Sequence, residues 1–103
     1  MTFEEYQAFA RRTMNRSLNE QEALTMTALG LTGEAGECSE IIKKHVFHHR
    51  AFDRNDLEAE LGDVLWYLAM LADACGLKLS DIATANVEKL RGRYPEGFAA
   101  QAQ

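Results

Sequence analysis

The sequence predicts an all-α fold, and three observations carry that prediction. A single proline, Pro95, leaves almost the whole chain free of helix breaks. No stretch sustains an apolar–polar alternation, and β-branched residues are sparse, so strand signals are absent. Apolar residues recur instead at intervals of three and four, the period of a helix. In the first such stretch Phe3, Tyr6, Phe9, Ala10, Thr13 and Met14 share a face, which places a helix near 3–15. A second helix is predicted from about 20 to 46. Asp53 or Asn55 is placed to cap a third, near 56–75, and Gly76 ends it. Ser80 caps a fourth near 81–93, which YPEGF at 94–98 stops. The tail AAQAQ, 99–103, is expected to fray.

Composition narrows the class. The chain reads as a single domain over 1–103, and its 47% apolar and 26% charged residues suit a globular protein rather than a disordered one. A helical chain this short buries a modest core, so a homo-oligomer is expected. No apolar run approaches 18 residues, and MTFEEYQAF holds two acids with no apolar signal region; the expectation is a cytoplasmic protein that does not engage a membrane. Cys38 and Cys75 lie within helical patterns, which reads as small buried thiols rather than a disulfide. A net charge of −5 weighs against nucleic acid as a partner. It still admits an anionic small molecule if metal ions intervene.

The candidate chemistry lies in two acidic pairs, EAGE at 34–37 and ELGD at 60–63. At about 100° per residue, Leu24, Ala28, Leu31, Ala35, Cys38 and Ile42 form one apolar arc on the second helix. Glu34 stands at its edge and Glu37 just beyond. On the third helix Leu61, Val64, Leu65, Leu68, Leu71, Ala72 and Cys75 form the arc, with Glu60 at its edge and Asp63 beyond. If the two helices pack antiparallel through these arcs, all four carboxylates line one side of the seam. Such a cluster repels itself unless some groups hold protons or divalent cations sit among them. All-oxygen donors suit Mg²⁺ first and Mn²⁺ second. A di-iron bundle would want Glu-x-x-His, and no histidine stands three residues after these acids. The pattern alone leaves metal ligation and plain solvated acids both open.

The glycines of LGLTGEAGECSE do not form a phosphate cradle, because no Walker ending and no preceding strand accompany them. Gly36 and Gly62 hold equivalent positions, where the close approach of another helix, including one from a second subunit, would explain them. Gly30, one turn before Glu34, would leave room for a ligand. On the fourth helix Asn86, Lys89 and Arg93 share a face, and Lys44 lies on the Glu37 face of the second. Lys44, Lys89 and Arg93 could hold phosphate oxygens, and Asn86 could meet a sugar hydroxyl or a base edge; a solvated basic face is the plainer alternative. His45, His48 and His49 read as loop histidines rather than a zinc site. Trp66, Tyr67 and Met70 fall off the core arc and suit packing against the first helix or a partner chain. Tyr67, one turn from Asp63, could also wall the site or stack on a base.

These residues resemble the MazG-like all-α nucleoside triphosphate pyrophosphohydrolases, which are marked by E-x-x-E, a variable spacer and E-x-x-D. Here 22 residues separate Glu37 from Glu60, and GLTGEAGE, IIKKH, ELGDVLWYLAMLA and NVEKLRGRYPEGF extend the similarity over about 21–98. The likeness is to short, single-domain members. It implies a four-to-five-helix bundle completed by oligomerisation, as a homodimer or homotetramer. It also implies Mg²⁺-dependent hydrolysis of a (deoxy)nucleoside triphosphate to the monophosphate and pyrophosphate, in nucleotide-pool housecleaning. Carried onto this chain, Glu34, Glu37, Glu60 and Asp63 would be metal ligands, Lys89 and Arg93 would hold phosphates, and Asn86 would contact the nucleotide. Glu37, farther from the apolar arc than Glu34, is the residue expected to accept a proton from water. The competing reading is a non-catalytic helical interaction module whose acids are vestigial. The complete acidic quartet argues against it, since a degenerate site should have lost a member.

Overall fold

Local capping chemistry explains where the helices begin. The computed structural model describes residues 1–98, with four helices, α1 (Phe3–Arg11), α2 (Glu20–Phe47), α3 (Arg54–Ala74) and α4 (Leu79–Arg93), and no strand among those residues. Thr2 starts α1 with a capping box: its hydroxyl accepts from the Glu5 amide at 3.0 Å, and the Glu5 carboxylate accepts from the Thr2 amide at 2.8 Å. Asn19 and Glu22 repeat the device at α2, at 2.8 and 2.9 Å. Of the two candidate caps for α3, Asp53 serves, accepting from the Asp56 amide, and Asn55 falls inside the first turn. The tail expected to fray lies outside the described residues.

Two boundaries differ from the periodicity. The first helix ends at Arg11 rather than near residue 15, because the amides of Arg12, Thr13 and Met14 turn to carbonyls three residues back. The Thr13 hydroxyl donates to the Ala10 carbonyl at 2.7 Å and competes for the same acceptor. At α4, Ser80 is not the cap: it lies within the first turn, and Lys78 holds the cap position without a side-chain bond. The orphan amide of Leu79 donates instead to Gln7 Oε1 at 2.8 Å, while Gln7 Nε2 donates to the Leu77 carbonyl at 2.9 Å. A buried glutamine on α1 thus does the work of a local cap. Gln7→Ala should cost about 2 kcal/mol, the scale of an unsatisfied buried donor, read as a lower urea midpoint at unchanged slope.

Gly76 ends α3 as the sequence suggests. Its φ of 70° carries a Schellman motif, in which the Leu77 amide reaches the Ala72 carbonyl and the Gly76 amide the Asp73 carbonyl. A short turn from α2 to α3 makes them a hairpin. Gly30 meets Tyr67, Glu34 meets Glu60 and Asp63, and Ile42 and Phe47 share a groove with Leu57 and Leu61. Later residues of α2 therefore face earlier residues of α3, which makes the pair antiparallel. Within the turn, His45 donates from Nδ1 to the Arg50 carbonyl at 2.8 Å, so it fastens the loop.

The core sits elsewhere than the predicted arcs. Ala10 of α1, Ala69 and Met70 of α3 and Leu79 of α4 form it, with Tyr6, Met14, Leu65 and Trp66 packed around. Met70, off the predicted arc, is 1% exposed, whereas Leu61 on that arc is 52% exposed. On α2 the arc is also uneven: Leu24, Leu31 and Cys38 are half-buried, while Ala28, Ala35 and Ile42 are exposed. The reason is geometric. Both α1 and α4 pack on α3, and α2 finds its main neighbour in α3 alone. Both cysteines are free, and Cys75 is exposed rather than buried. No helix among the described residues is long and apolar enough to cross a membrane.

Candidate metal centre

The helical repeat of α3 sets Glu60 and Asp63 on neighbouring turns of one face. Antiparallel packing then brings Glu34 of α2 against them, and a carboxylate oxygen from each of the three lies within 4.8 Å of the others. No ion pair with a lysine or arginine reaches this trio among the described residues; the two ion pairs join Arg11 to Asp73 and Lys43 to Glu40. Glu60 Oε2 is shut off from solvent and has no hydrogen-bond partner among the described residues. A buried carboxylate oxygen without a donor is costly, and a cation is the partner its chemistry asks for.

The local field tells the same story. A hydrogen bond with the Glu34 carboxyl first, then burial, then the charges of Glu34, Asp63 and Asp56 push Glu60 above the ordinary glutamate range. Cys38, one turn beyond Glu34, has its thiol pushed up by burial first and then by Glu60, Glu34 and Asp63. The field extends to α1, where burial and the charge of Asp63 raise the Tyr6 phenol. Three acids on two helices thus make a negative centre that no lysine or arginine pairs with among the described residues. The donor set is all oxygen, which fits a hard divalent ion.

An open cleft of about 380 Å³ adjoins the centre, lined by Glu34, Asp63, Trp66 and Tyr67. A more apolar groove of about 600 Å³, lined by Met1, Phe3, Tyr6, Leu65 and Ser80 among others, holds none of the four candidate acids. Chemistry therefore favours the smaller cleft. Its aromatic wall is braced from the turn after α1: Trp66 Nε1 donates to Thr13 Oγ1 at 2.7 Å, and Tyr67 meets Trp66 edge to face at 4.9 Å.

The structure brings together part of the predicted set. Glu34, Glu60 and Asp63 converge, and Tyr67 joins them as a wall. Glu37 is exposed and outside the converging trio. Lys44, Asn86, Lys89 and Arg93 are all exposed, and none bonds to the acids among the described residues. Ten residues of helix, about 15 Å at 1.5 Å each, separate Lys44 from Glu34. The room expected at Gly30 is not empty: the Tyr67 ring occupies it. At Gly36 and Gly62 nothing among the described residues comes within 4 Å of where a Cβ would stand, so none of the four helices packs on them. His45, His48 and His49 form no ligand cluster among the described residues.

Sequence reasoning did not assign Trp66 to the cleft, although its place three residues after Asp63 was a usable signal. Tyr6 and Thr13 offered none, because only tertiary packing carries α1 and the turn after it to this side of α3.

The chain is 40% identical over 80 residues to "Gene 37 protein" of Mycobacterium phage L5, covering 74% of this chain and 70% of that one. It is 33% identical over 73 residues to "Uncharacterized protein YvdC" of Bacillus subtilis (strain 168), covering 62% and 69% respectively. No solved structure matches the chain significantly. The profile of the MazG nucleotide pyrophosphohydrolase domain matches residues 21–98, a span that opens in the first turn of α2, encloses both acidic pairs and closes after α4. An acidic centre held between two antiparallel helices, inside a match of that extent, makes the chain a member of the MazG nucleotide pyrophosphohydrolase domain family.

Proposed function

We propose that this protein hydrolyses a (deoxy)nucleoside triphosphate to the monophosphate and pyrophosphate, as a housecleaning enzyme of the nucleotide pool. The observation that carries the reading is the convergence of Glu34, Glu60 and Asp63, together with a solvent-shielded Glu60 oxygen that has no partner among the described residues. Those three residues would hold Mg²⁺, or Mn²⁺ in its place. Bound there, the ion would offset the charge of a polyphosphate, polarise the phosphoryl group and acidify a water.

The chain's own residues supply the rest. Glu37 follows Glu34 by one turn and is exposed, so its carboxylate is free to accept a proton from water. Tyr67 and Trp66 present an apolar wall beside Asp63, suited to the face of a base or a ribose. Lys89 and Arg93 take phosphate oxygens and Asn86 a sugar or base edge, with Lys44 as a further cation. In this reading a second copy of the chain closes the site. Leu29 of α2, 69% exposed, and Phe47 at its end, 73% exposed, support burial in a homodimer or homotetramer.

Pyrophosphate release from a panel of ribo- and deoxyribonucleoside triphosphates tests the reaction. Turnover is expected with Mg²⁺, and it should vanish with chelator and in Glu37→Ala. Activity indifferent to both would refute the reading.

A further inference from the structure

The Tyr67 ring lies where a side chain at position 30 would begin: its Cε1 and Cδ1 atoms stand far inside van der Waals contact of a Cβ built on Gly30. Gly30 is therefore the floor on which one wall of the acidic cleft rests. The same ring meets Trp66 edge to face, and the turn that follows α1 holds that indole through the Thr13 hydroxyl. Tyr67 thus rests on a bare Cα and touches an indole while it lines the cleft. The cleft it lines also includes Glu34 and Asp63.

We infer that Gly30 is a positioning residue that sets the width of the nucleotide cleft by letting Tyr67 seat against α2, and that it thereby governs which triphosphates fit. This deepens the proposed hydrolysis and rests on it. A Cβ at position 30 drives the ring toward Glu34 and Asp63. The acids themselves stay in place, since alanine is a better helix former than glycine and does not disturb α2. The effect belongs to substrate fit: a single added carbon in a fitted pocket changes discrimination by about tenfold or more.

The chain's single tryptophan is Trp66, in contact with Tyr67, so intrinsic fluorescence reports the ring without any substrate. Three variants decide the matter: Gly30→Ala, Tyr67→Leu and the double variant. Gly30→Ala should shift Trp66 emission and raise KM for the best wild-type substrate by about tenfold or more. Its kcat should change less than its KM, and Mn²⁺ binding followed by electron paramagnetic resonance should be retained. In the double variant the clash is gone, so emission and KM should equal those of Tyr67→Leu alone. Unchanged emission or unchanged KM in folded Gly30→Ala overturns the inference, and so do strictly additive effects in the double variant. Absence of turnover in the wild type would count against the proposed reaction instead, and the emission comparison would still decide whether Gly30 seats Tyr67.

Discussion

Glu60→Gln is expected to lose at least about 100-fold in Mg²⁺-dependent turnover while gaining thermal stability in chelator. Changes one shell outside a metal site already cost about 10- to 100-fold, so loss of a ligand should cost at least the upper value. The stability gain follows from the same geometry. Metal-free, Glu60 faces Glu34 and Asp63 with one oxygen unpartnered, and an amide there removes a charge and can donate to Glu34. A residue serving only the fold would not behave this way, since its loss would lower activity and stability together.

The pH dependence has a definite sign. The folded chain raises Glu60 above its usual 4.5, so the folded state binds the proton more tightly than the unfolded one. The linked stability is fully present below the unfolded value and is lost as pH rises through the raised folded value. In chelator, the melting temperature of Glu60→Gln should therefore pull ahead of wild type as pH climbs from below 4.5 toward neutrality. Added Mg²⁺ should close that gap by stabilising wild type alone. Equal melting curves at every pH, with and without Mg²⁺, would remove the acidic centre from the account.

Met70→Ala should cost about 2–5 kcal/mol, a large share of the stability of a small domain. Met70 is 1% exposed and joins α3 to Ala10 of α1 and Leu79 of α4, within a core of few large side chains. Leu29→Ala is the contrast: the side chain is mostly exposed in the single chain, so a cost near zero is expected unless a second copy covers it. Denaturation at several protein concentrations separates the cases. A Leu29→Ala penalty that disappears on dilution would mark an interface, and a mild Met70→Ala would mean the core has been misplaced.

The sequence by itself determined the helices, their order and the angular place of the acids. Those properties are local: helical period, capping chemistry at Asn19 and Asp53, and the left-handed turn at Gly76 need only neighbours along the chain. The acidic trio was legible for the same reason, since Glu34, Glu60 and Asp63 hold their angles whatever packs on them, and a hairpin suffices to bring them together. Tertiary structure alone decided which faces are covered. Met70 is buried and Leu61 exposed because α1 and α4 pack on α3, and no periodicity states where another helix will land. The same packing gave Gln7 the capping task expected of Ser80 and filled the space beside Gly30 with Tyr67. A chain's own repeat dictates where each side chain points, but the neighbour it meets there depends on segments far away in sequence.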